Sequence, residues 1–221
     1  SLQNTESAGL VNGTTLKFGS QLLKEVFEEL DCQEKGFVIS MIGEQSSAKS
    51  CLLYVLFGAD FTVAAGKSTR RLNFSLLKHP SGYQILVIDT EGLEGLPSVQ
   101  ARDHEFDHLI TTTIFACSHI VIINKKGEIN RQQKNLIELC TYAMQYLKLN
   151  DEIKPKLIFV LRDVVEFHTE KTQQDALAGL KQCLEEAARL LSININDIIY
   201  FTEKDLFLFP PAFQITTKTN M

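Results

Sequence analysis

Phe37-Val-Ile-Ser-Met-Ile42, followed directly by Gly43-Glu-Gln-Ser-Ser-Ala-Lys-Ser50, is the stretch that decides the fold of this chain of 221 residues. The first part is apolar and partly β-branched, which predicts a buried strand. The second part consists of Gly and small polar residues that end in Lys-Ser, and Cys51 opens a run of helix-forming residues. The stretch therefore predicts a strand, a tight loop and the N-terminus of a helix.

The loop matches the phosphate-binding pattern Gly-x4-Gly-Lys-Ser/Thr at every position except one, because Ala48 stands where the pattern has Gly. In this pattern the backbone N–H groups of the loop and the positive end of the helix face phosphate. We expect Lys49 to reach the terminal phosphates and the hydroxyl of Ser50 to bind Mg²⁺. The predicted nucleotide-binding residues of this stretch are Gly43, Glu44, Gln45, Ser46, Ser47, Ala48, Lys49, Ser50 and Cys51.

A second apolar strand, predicted over residues 83–89, ends in Asp89-Thr-Glu-Gly92. Asp89 at the carboxyl end of a strand can hold Mg²⁺ through water, and the N–H of Gly92 can contact the γ-phosphate. The pattern alone is a weak signal, since a strand that ends in an Asp-Gly turn is common. Its position downstream of a phosphate-binding loop favours the interpretation as a nucleotide switch.

The segment Gly66-Lys-Ser-Thr-Arg-Arg71 lies between the two motifs. Thr69 can close over Mg²⁺ and the γ-phosphate, and Arg70 and Arg71 can stabilise the charge of a transition state. The alternative is a solvated basic turn, which the six residues alone do not exclude.

A further buried strand is predicted over residues 156–161, and it ends in Arg162-Asp163. The carboxylate of Asp163 can accept hydrogen bonds from N1–H and the 2-amino group of guanine, which adenine cannot match. The dipeptide has almost no specificity by itself, but its place in the order of elements is informative. Arg162 and Asp163 are therefore predicted to bind the nucleotide at its base.

The alternation of apolar runs and helical patterns predicts an α/β domain with a P-loop NTPase fold, a mainly parallel six-stranded sheet and helices on both faces. The short spacing between the strands over 72–78 and 83–89 indicates a hairpin, so one strand is antiparallel. The other predicted elements are helices over 16–30, 97–113, 132–149 and 170–191, strands over 119–124 and 197–201, and an apolar segment over 207–213 that packs back on the domain.

Composition limits the classes of partner. A net charge of -5 argues against nucleic acid, and no apolar run reaches the roughly 18 residues that a membrane span needs. The five cysteines occur singly in apolar segments without metal-binding spacing, which is typical of reduced cysteines in a cytoplasmic protein.

These motifs together resemble the GTPase domain of the dynamin superfamily. The loop over 43–50, with Gln-Ser in its middle, resembles the dynamin-type P-loop, and Ser68-Thr-Arg-Arg71 resembles the switch of that family. The similarity covers residues 37–213. The segments that are closer to the guanylate-binding, atlastin and very large interferon-inducible branches are Asp89-Thr-Glu-Gly-Leu93, Arg102-Asp103, Leu161-Arg-Asp163 and Phe209-Pro-Pro211.

The resemblance implies binding of guanine nucleotide with weak affinity for GTP, Mg²⁺-dependent hydrolysis and a homodimer formed through the nucleotide face. It also implies a helical stalk, so we expect a piece of a longer protein whose other regions contact a membrane or a protein partner. Ser46 stands where guanylate-binding loops carry a catalytic Arg, so the contribution of that Arg is missing. The candidate catalytic positions are Ser46, Thr69, Arg70 and Arg71. The expected boundaries are a disordered leader at 1–15, a GTPase domain at 16–213 and a disordered tail at 214–221.

Two functions from different classes remain open. The first is an active large GTPase whose hydrolysis is coupled to dimerisation. The second is a pseudo-GTPase, an interaction module with weak or absent nucleotide binding, and Ala48 is the residue that separates the two. A P-loop ATPase or kinase is less favoured, because Arg162-Asp163 is better explained by guanine.

Overall fold

The structure is a computed structural model, which describes residues 11–12, 15–16, 36–44, 47–59, 61, 72–78, 82–90, 92–93, 102–127, 131–147, 154–194 and 202–211. The predictions that lie outside these residues concern the helix over 16–30 beyond Leu16, the loop residues Gln45 and Ser46, the switch residues Thr69, Arg70 and Arg71, the strand over 197–201 and the tail over 214–221.

A sheet of six strands forms the centre of the domain. A separate antiparallel pair, β1 (Val11–Asn12) and β2 (Thr15–Leu16), precedes it in the chain. The strands of the main sheet are β3 (Gly36–Gly43), β4 (Leu72–Lys78), β5 (Gln84–Thr90), β6 (Ile120–Lys126), β7 (Lys156–Arg162) and β8 (Leu206–Leu208). The helices are α1 (Lys49–Phe57), α2 (Arg102–Cys117), α3 (Arg131–Leu147) and α4 (Glu170–Leu190).

The strand order is β4-β5-β3-β6-β7-β8, in which only the β4–β5 pair is antiparallel. Parallel neighbours place their carboxyl ends at the same edge of a sheet, where ligands of open α/β sheets bind. The register puts Met41 opposite Asp89, Gly43 opposite Asn124 and Lys126 opposite Arg162. The polar residues of the sequence motifs therefore lie along one edge.

Alternate residues of the strands explain why helices cover both faces. On β6, Ile122 packs with Leu52 and Leu53 of α1, whereas its neighbours Val121 and Ile123 face the opposite side. That opposite side is covered by α2, α3 and α4. A strand that is apolar at every position is buried on both faces, as parallel sheets require. The predicted fold class is thus confirmed, and none of the helices among the described residues is long and apolar enough to cross a membrane.

The end of α2 and the strand formed after residue 205 differ from the sequence prediction. Helix α2 continues to Cys117, beyond the predicted end at Thr113. The hydroxyl of Thr113 donates to the carbonyl of Leu109 at 2.8 Å, and the next residues, Ile114 and Phe115, are fully buried. Burial therefore outweighs the weak helix propensity of Thr.

The segment predicted over 207–213 to pack back on the domain contributes to the sixth strand, because β8 pairs in parallel with β7. Pro210 and Pro211 limit its length, since Pro has no N–H to donate to a neighbouring strand.

A buried carboxylate holds the start of β8 in place. Asp205 accepts a hydrogen bond from Lys156 Nζ at 2.9 Å, and its other oxygen accepts from the N–H and the hydroxyl of Thr202 at 3.1 and 2.9 Å. Burial acts to raise the pKa of Asp205, but the hydrogen bonds from Lys156 and Thr202 outweigh it and hold the pKa below its usual value. The stabilisation is present above the unfolded-state pKa and is lost as the pH falls through the folded-state pKa.

Candidate nucleotide-binding site

The phosphate-binding loop begins where β3 passes very close to β6. A Cβ at Gly43 would lie 2.1 Å from the carbonyl oxygen of Asn124 and 3.3 Å from the hydroxyl of Ser47. No side chain fits in this space, so the position requires Gly for its size rather than for its backbone angles. The approach fixes the start of the loop against the end of the neighbouring strand.

Ala48 ends the loop in the left-handed region, with φ 51° and ψ 44°, directly before α1. For a residue with a Cβ this conformation costs roughly 1–2 kcal/mol. Its methyl side chain provides no cap for the helix, so the first N–H groups of α1 receive no hydrogen bond from it. Gly, which the phosphate-binding pattern has at this position, adopts a positive φ without that cost.

Lys49 is buried, and its ammonium lies over the loop. It donates to the carbonyl oxygen of Glu44 at 2.9 Å and to that of Gly43 at 3.3 Å. The carboxylate of Glu44 in turn pairs with the buried Lys125 of β6 at 3.0 Å. The loop thus brings two ammonium groups to the carboxyl edge of the sheet.

Ser50 and Asp89 are in direct contact. The hydroxyl of Ser50 donates to Oδ2 of Asp89 at 2.5 Å, whereas the buried Oδ1 has no hydrogen-bond partner among the described residues. Burial raises the pKa of Asp89 above its usual value, against the opposing effects of the Ser50 hydrogen bond, the charge of Lys49 and the side chain of Asn73 on the neighbouring strand β4. Hydroxyl and carboxylate oxygens are the kind of ligand atom that Mg²⁺ prefers. These two residues therefore fit a magnesium site.

The segment after β5 is tied to the start of the loop. The N–H of Leu93 donates to the carbonyl of Gly43 at 3.0 Å, and the side chain of Leu93 is buried in the core. Before it, Thr90 is fixed by a hydrogen bond of 2.8 Å from its hydroxyl to the carbonyl of Met41. Gly92 consequently lies beside the phosphate-binding loop, and its contact with the γ-phosphate stays a prediction.

Asn124, at the carboxyl end of β6, is a residue that the motifs do not single out. Its amide Nδ2 donates to the carbonyl of Ser47 at 2.8 Å, and its Oδ1 accepts from Arg162 Nε at 3.1 Å. The Nη2 of Arg162 also donates to the carbonyl of Ser47. The only sequence signal for Asn124 is a polar residue at the end of an apolar run.

Asp163 follows β7 with a φ of 62°, and its carboxylate remains partly exposed, 3.7 Å from Lys126 Nζ. The strand end is held by a hydrogen bond of 2.7 Å from the N–H of Gly127 to the carbonyl of Arg162. The side chains of Arg162 and Asp163 therefore have different surroundings. The guanidinium of Arg162 contacts the phosphate-binding loop. The sequence pattern instead predicts that this side chain contacts the base.

Comparison with known proteins identifies the family. Residues 8–203 match the model of the URGCP-like GTPase domain. The chain belongs to this family.

Three relatives support the assignment. Interferon-induced very large GTPase 1 of Mus musculus is 30% identical over 182 residues, and its human counterpart is 31% identical over 161 residues. These alignments cover 79% and 70% of this chain but only 7% of each relative. Protein SEY1 of Saccharomyces cerevisiae is 29% identical over 147 residues, which is 58% of this chain and 19% of that protein. The resemblance to the very large interferon-inducible branch is confirmed.

Solved structures confirm the fold of this URGCP-like domain. Toc33 from Arabidopsis thaliana, in complex with GDP and Mg²⁺, has a TM-score of 0.53 at 15% identity, over 86% of this chain and 76% of that one. Era in complex with MgGDPNP and ribosomal RNA has a TM-score of 0.52 at 14% identity, over 84% of this chain and 56% of that one.

Most of the predicted loop residues that the structure describes lie at the carboxyl edge of the sheet in this URGCP-like domain. Gly43, Lys49, Ser50 and Asp89 lie together there, while Cys51 is an exposed residue of α1. Gln45, Ser46, Thr69, Arg70 and Arg71 lie outside the described residues, so their predicted roles stay predictions.

Replacement of Gly43 by Ala should lower the free energy of unfolding by about 1–3 kcal/mol, because one of the two strand ends must move away from the new methyl group. Urea denaturation measures the change. Gly36→Ala is the matched control on the same strand, since a Cβ there would meet nothing nearer than the carbonyl of Gln84 at 3.8 Å. Equal losses in the two variants would contradict the close approach at Gly43.

Proposed function

We propose that this domain binds GTP and GDP together with Mg²⁺ and hydrolyses GTP. The observation that carries the proposal is the contact between Ser50 and Asp89, whose buried Oδ1 has no hydrogen-bond partner among the described residues. A buried charged oxygen without a partner is costly, so a cation is the ligand that best explains it. Membership of a GTPase family supports the choice of nucleotide.

The phosphates would lie at the N-terminus of α1. There the loop amides, the first N–H groups of the helix and the ammonium of Lys49 supply positive charge. Lys49 would exchange its hydrogen bonds with the carbonyls of Gly43 and Glu44 for the terminal phosphates. Ser50, Asp89 and, from its position in the sequence, Thr69 would hold Mg²⁺. When bound there, Mg²⁺ would neutralise charge on the β- and γ-phosphates.

Asp163 would select guanine. Its carboxylate is exposed enough to meet a ligand, and its ion pair with Lys126 at 3.7 Å is long and solvent-exposed on the lysine side. Exposed pairs of this kind contribute little to stability, so the carboxylate can accept from the base at small cost. A carboxylate accepts both N1–H and the 2-amino group of guanine, whereas adenine offers no matching pair of donors.

A pseudo-GTPase remains the second candidate, and the backbone of Ala48 is the observation that favours it. The positive φ places a Cβ where the phosphate-binding pattern has only hydrogen. The strain is modest, but a methyl group beside the β-phosphate would also weaken binding by steric repulsion. The two candidates differ in the affinity of the unaltered domain for GDP.

Asp163→Asn should lower the ratio of GDP to ADP affinity by about tenfold or more, which is roughly 1.4 kcal/mol. Asn offers one acceptor and one donor, so the variant should instead gain affinity for xanthosine diphosphate, whose ring carries a carbonyl in place of the 2-amino group. Titration with fluorescent nucleotides measures the affinities for GDP, ADP and xanthosine diphosphate. Asp175→Asn, at an exposed carboxylate of α4, is the control. Equal GDP and ADP affinities in the unaltered domain would refute the role of Asp163.

Ala48→Gly should raise GDP affinity by about tenfold, or roughly 1.4 kcal/mol, because it removes the Cβ beside the phosphates. The strain of the positive φ is present without nucleotide too, so its removal should change the stability of the fold instead. Ser192→Gly is the matched control, since Ser192 has nearly the same backbone, with φ 55°, beyond the end of α4. Both variants should change unfolding stability similarly, and only Ala48→Gly should change nucleotide binding. Low micromolar GDP affinity that Ala48→Gly leaves unaltered would exclude the pseudo-GTPase.

Hydrolysis is proposed to require a homodimer through the nucleotide face, because Ser46 replaces the catalytic Arg of related loops and leaves Arg70 and Arg71 as candidates to stabilise charge. Turnover of GTP per molecule should therefore rise with protein concentration. Arg70→Ala or Arg71→Ala should lower turnover and leave GDP binding nearly unchanged. Turnover that is constant over a wide range of concentration would contradict the proposal.

A further inference from the structure

The carbonyl oxygen of Ser47 accepts hydrogen bonds from two side chains at once. Nδ2 of Asn124 donates to it at 2.8 Å from the end of β6, and Nη2 of Arg162 donates to it from the end of β7. The residue immediately after this carbonyl is Ala48, which carries the positive φ. Two separate strands therefore hold the peptide group at which the loop makes its least favourable turn.

The orientation of the two side chains is fixed by their chemistry. A guanidinium can only donate hydrogen bonds, so Oδ1 of Asn124 must face Arg162 Nε, which lies 3.1 Å away. The amide nitrogen of Asn124 then necessarily faces Ser47. Asn124 is fully buried, so this arrangement has no competition from solvent.

The direction of this peptide group matters for a phosphate ligand. A trans peptide points its C=O and its N–H in opposite directions. Because the carbonyl of Ser47 is held towards the ends of β6 and β7, the N–H of Ala48 is turned away from the sheet. In a phosphate-binding loop, successive backbone N–H groups form the concavity that binds the anion, so the direction of this N–H bears on phosphate binding.

We infer that Asn124 and Arg162 are positioning residues for the phosphate-binding loop, and that Arg162 acts on phosphate affinity rather than on the choice of base. The inference rests on the proposed nucleotide binding for its ligand. Arg162 and Asp163, both at the end of β7, then act on different parts of the nucleotide. The side chain of Arg162 contacts the phosphate-binding loop, whereas that of Asp163 stays partly exposed.

Hydrogen exchange of the nucleotide-free domain is the first test. Arg162→Met should make the N–H of Ser47, which donates to the carbonyl of Glu44 at 3.3 Å, exchange about tenfold faster, while amides in the centres of β6 and β7 keep their protection. Asn124→Asp keeps an acceptor for Arg162 but loses the donor to Ser47, so it should have the same local effect. The increase in exchange rate in the double variant should be smaller than the two single increases combined, because both substitutions act on one carbonyl. Arg189→Gln, an exposed arginine of α4, is the control.

Nucleotide binding is the second test. Arg162→Met should weaken GDP and ADP by the same factor, about tenfold, leave their ratio unaltered and leave guanosine binding unaltered. Loop exchange equal to that of the parent, or a change confined to the GDP-to-ADP ratio, would overturn the inference. Faster loop exchange in a domain that binds no nucleotide at all would instead refute the proposed function and keep the positioning role.

Discussion

The close approach of Gly43 to the carbonyl of Asn124 is the contact on which the rest of the candidate site depends. It brings the carboxamide of Asn124 to the loop, and it places the carbonyl of Gly43 where Lys49 and the N–H of Leu93 both donate to it. One residue without a side chain therefore connects the loop, the start of α1 and the segment after β5. The parallel register of β3 with β6 makes the contact possible, because it aligns the two carboxyl ends.

Polar groups on the two sides of the loop are satisfied to different degrees. Towards β6 and β7, the carbonyl of Ser47 and the side chain of Asn124 are all hydrogen-bonded. Towards β5, Oδ1 of Asp89 is buried without a partner among the described residues. Oγ1 of Thr111 on α2 is also buried without a hydrogen-bond partner among the described residues. A hydroxyl is neutral, however, and costs less to bury than a carboxylate. The asymmetry separates a side that supports the loop from a side suited to a cation.

The unfavourable backbone conformation of Ala48 is offset by a tertiary hydrogen bond at the preceding residue. A left-handed residue with a Cβ is unfavourable by roughly 1–2 kcal/mol, and hydrogen bonds that involve a charged donor contribute a similar amount. The guanidinium of Arg162 provides such a bond at the preceding carbonyl. The loop can therefore keep the turn of a Gly-containing loop without the Gly, although the space that Gly leaves for phosphate is reduced.

Local patterns in the sequence were enough to predict the fold class, the antiparallel hairpin and the positions of Lys49, Ser50, Asp89 and Asp163 at one edge. These follow from local patterns, because apolar runs identify buried strands and the order of elements aligns their ends. The contacts of Asn124, the direction of the Arg162 side chain and the pairing of β8 follow from the packing of distant segments and from no local pattern. Each depends on a neighbour distant in the chain: Ser47 for the two side chains, and β7 for β8. A pattern of neighbouring residues carries no information about which carbonyl a side chain reaches once the strands are packed side by side.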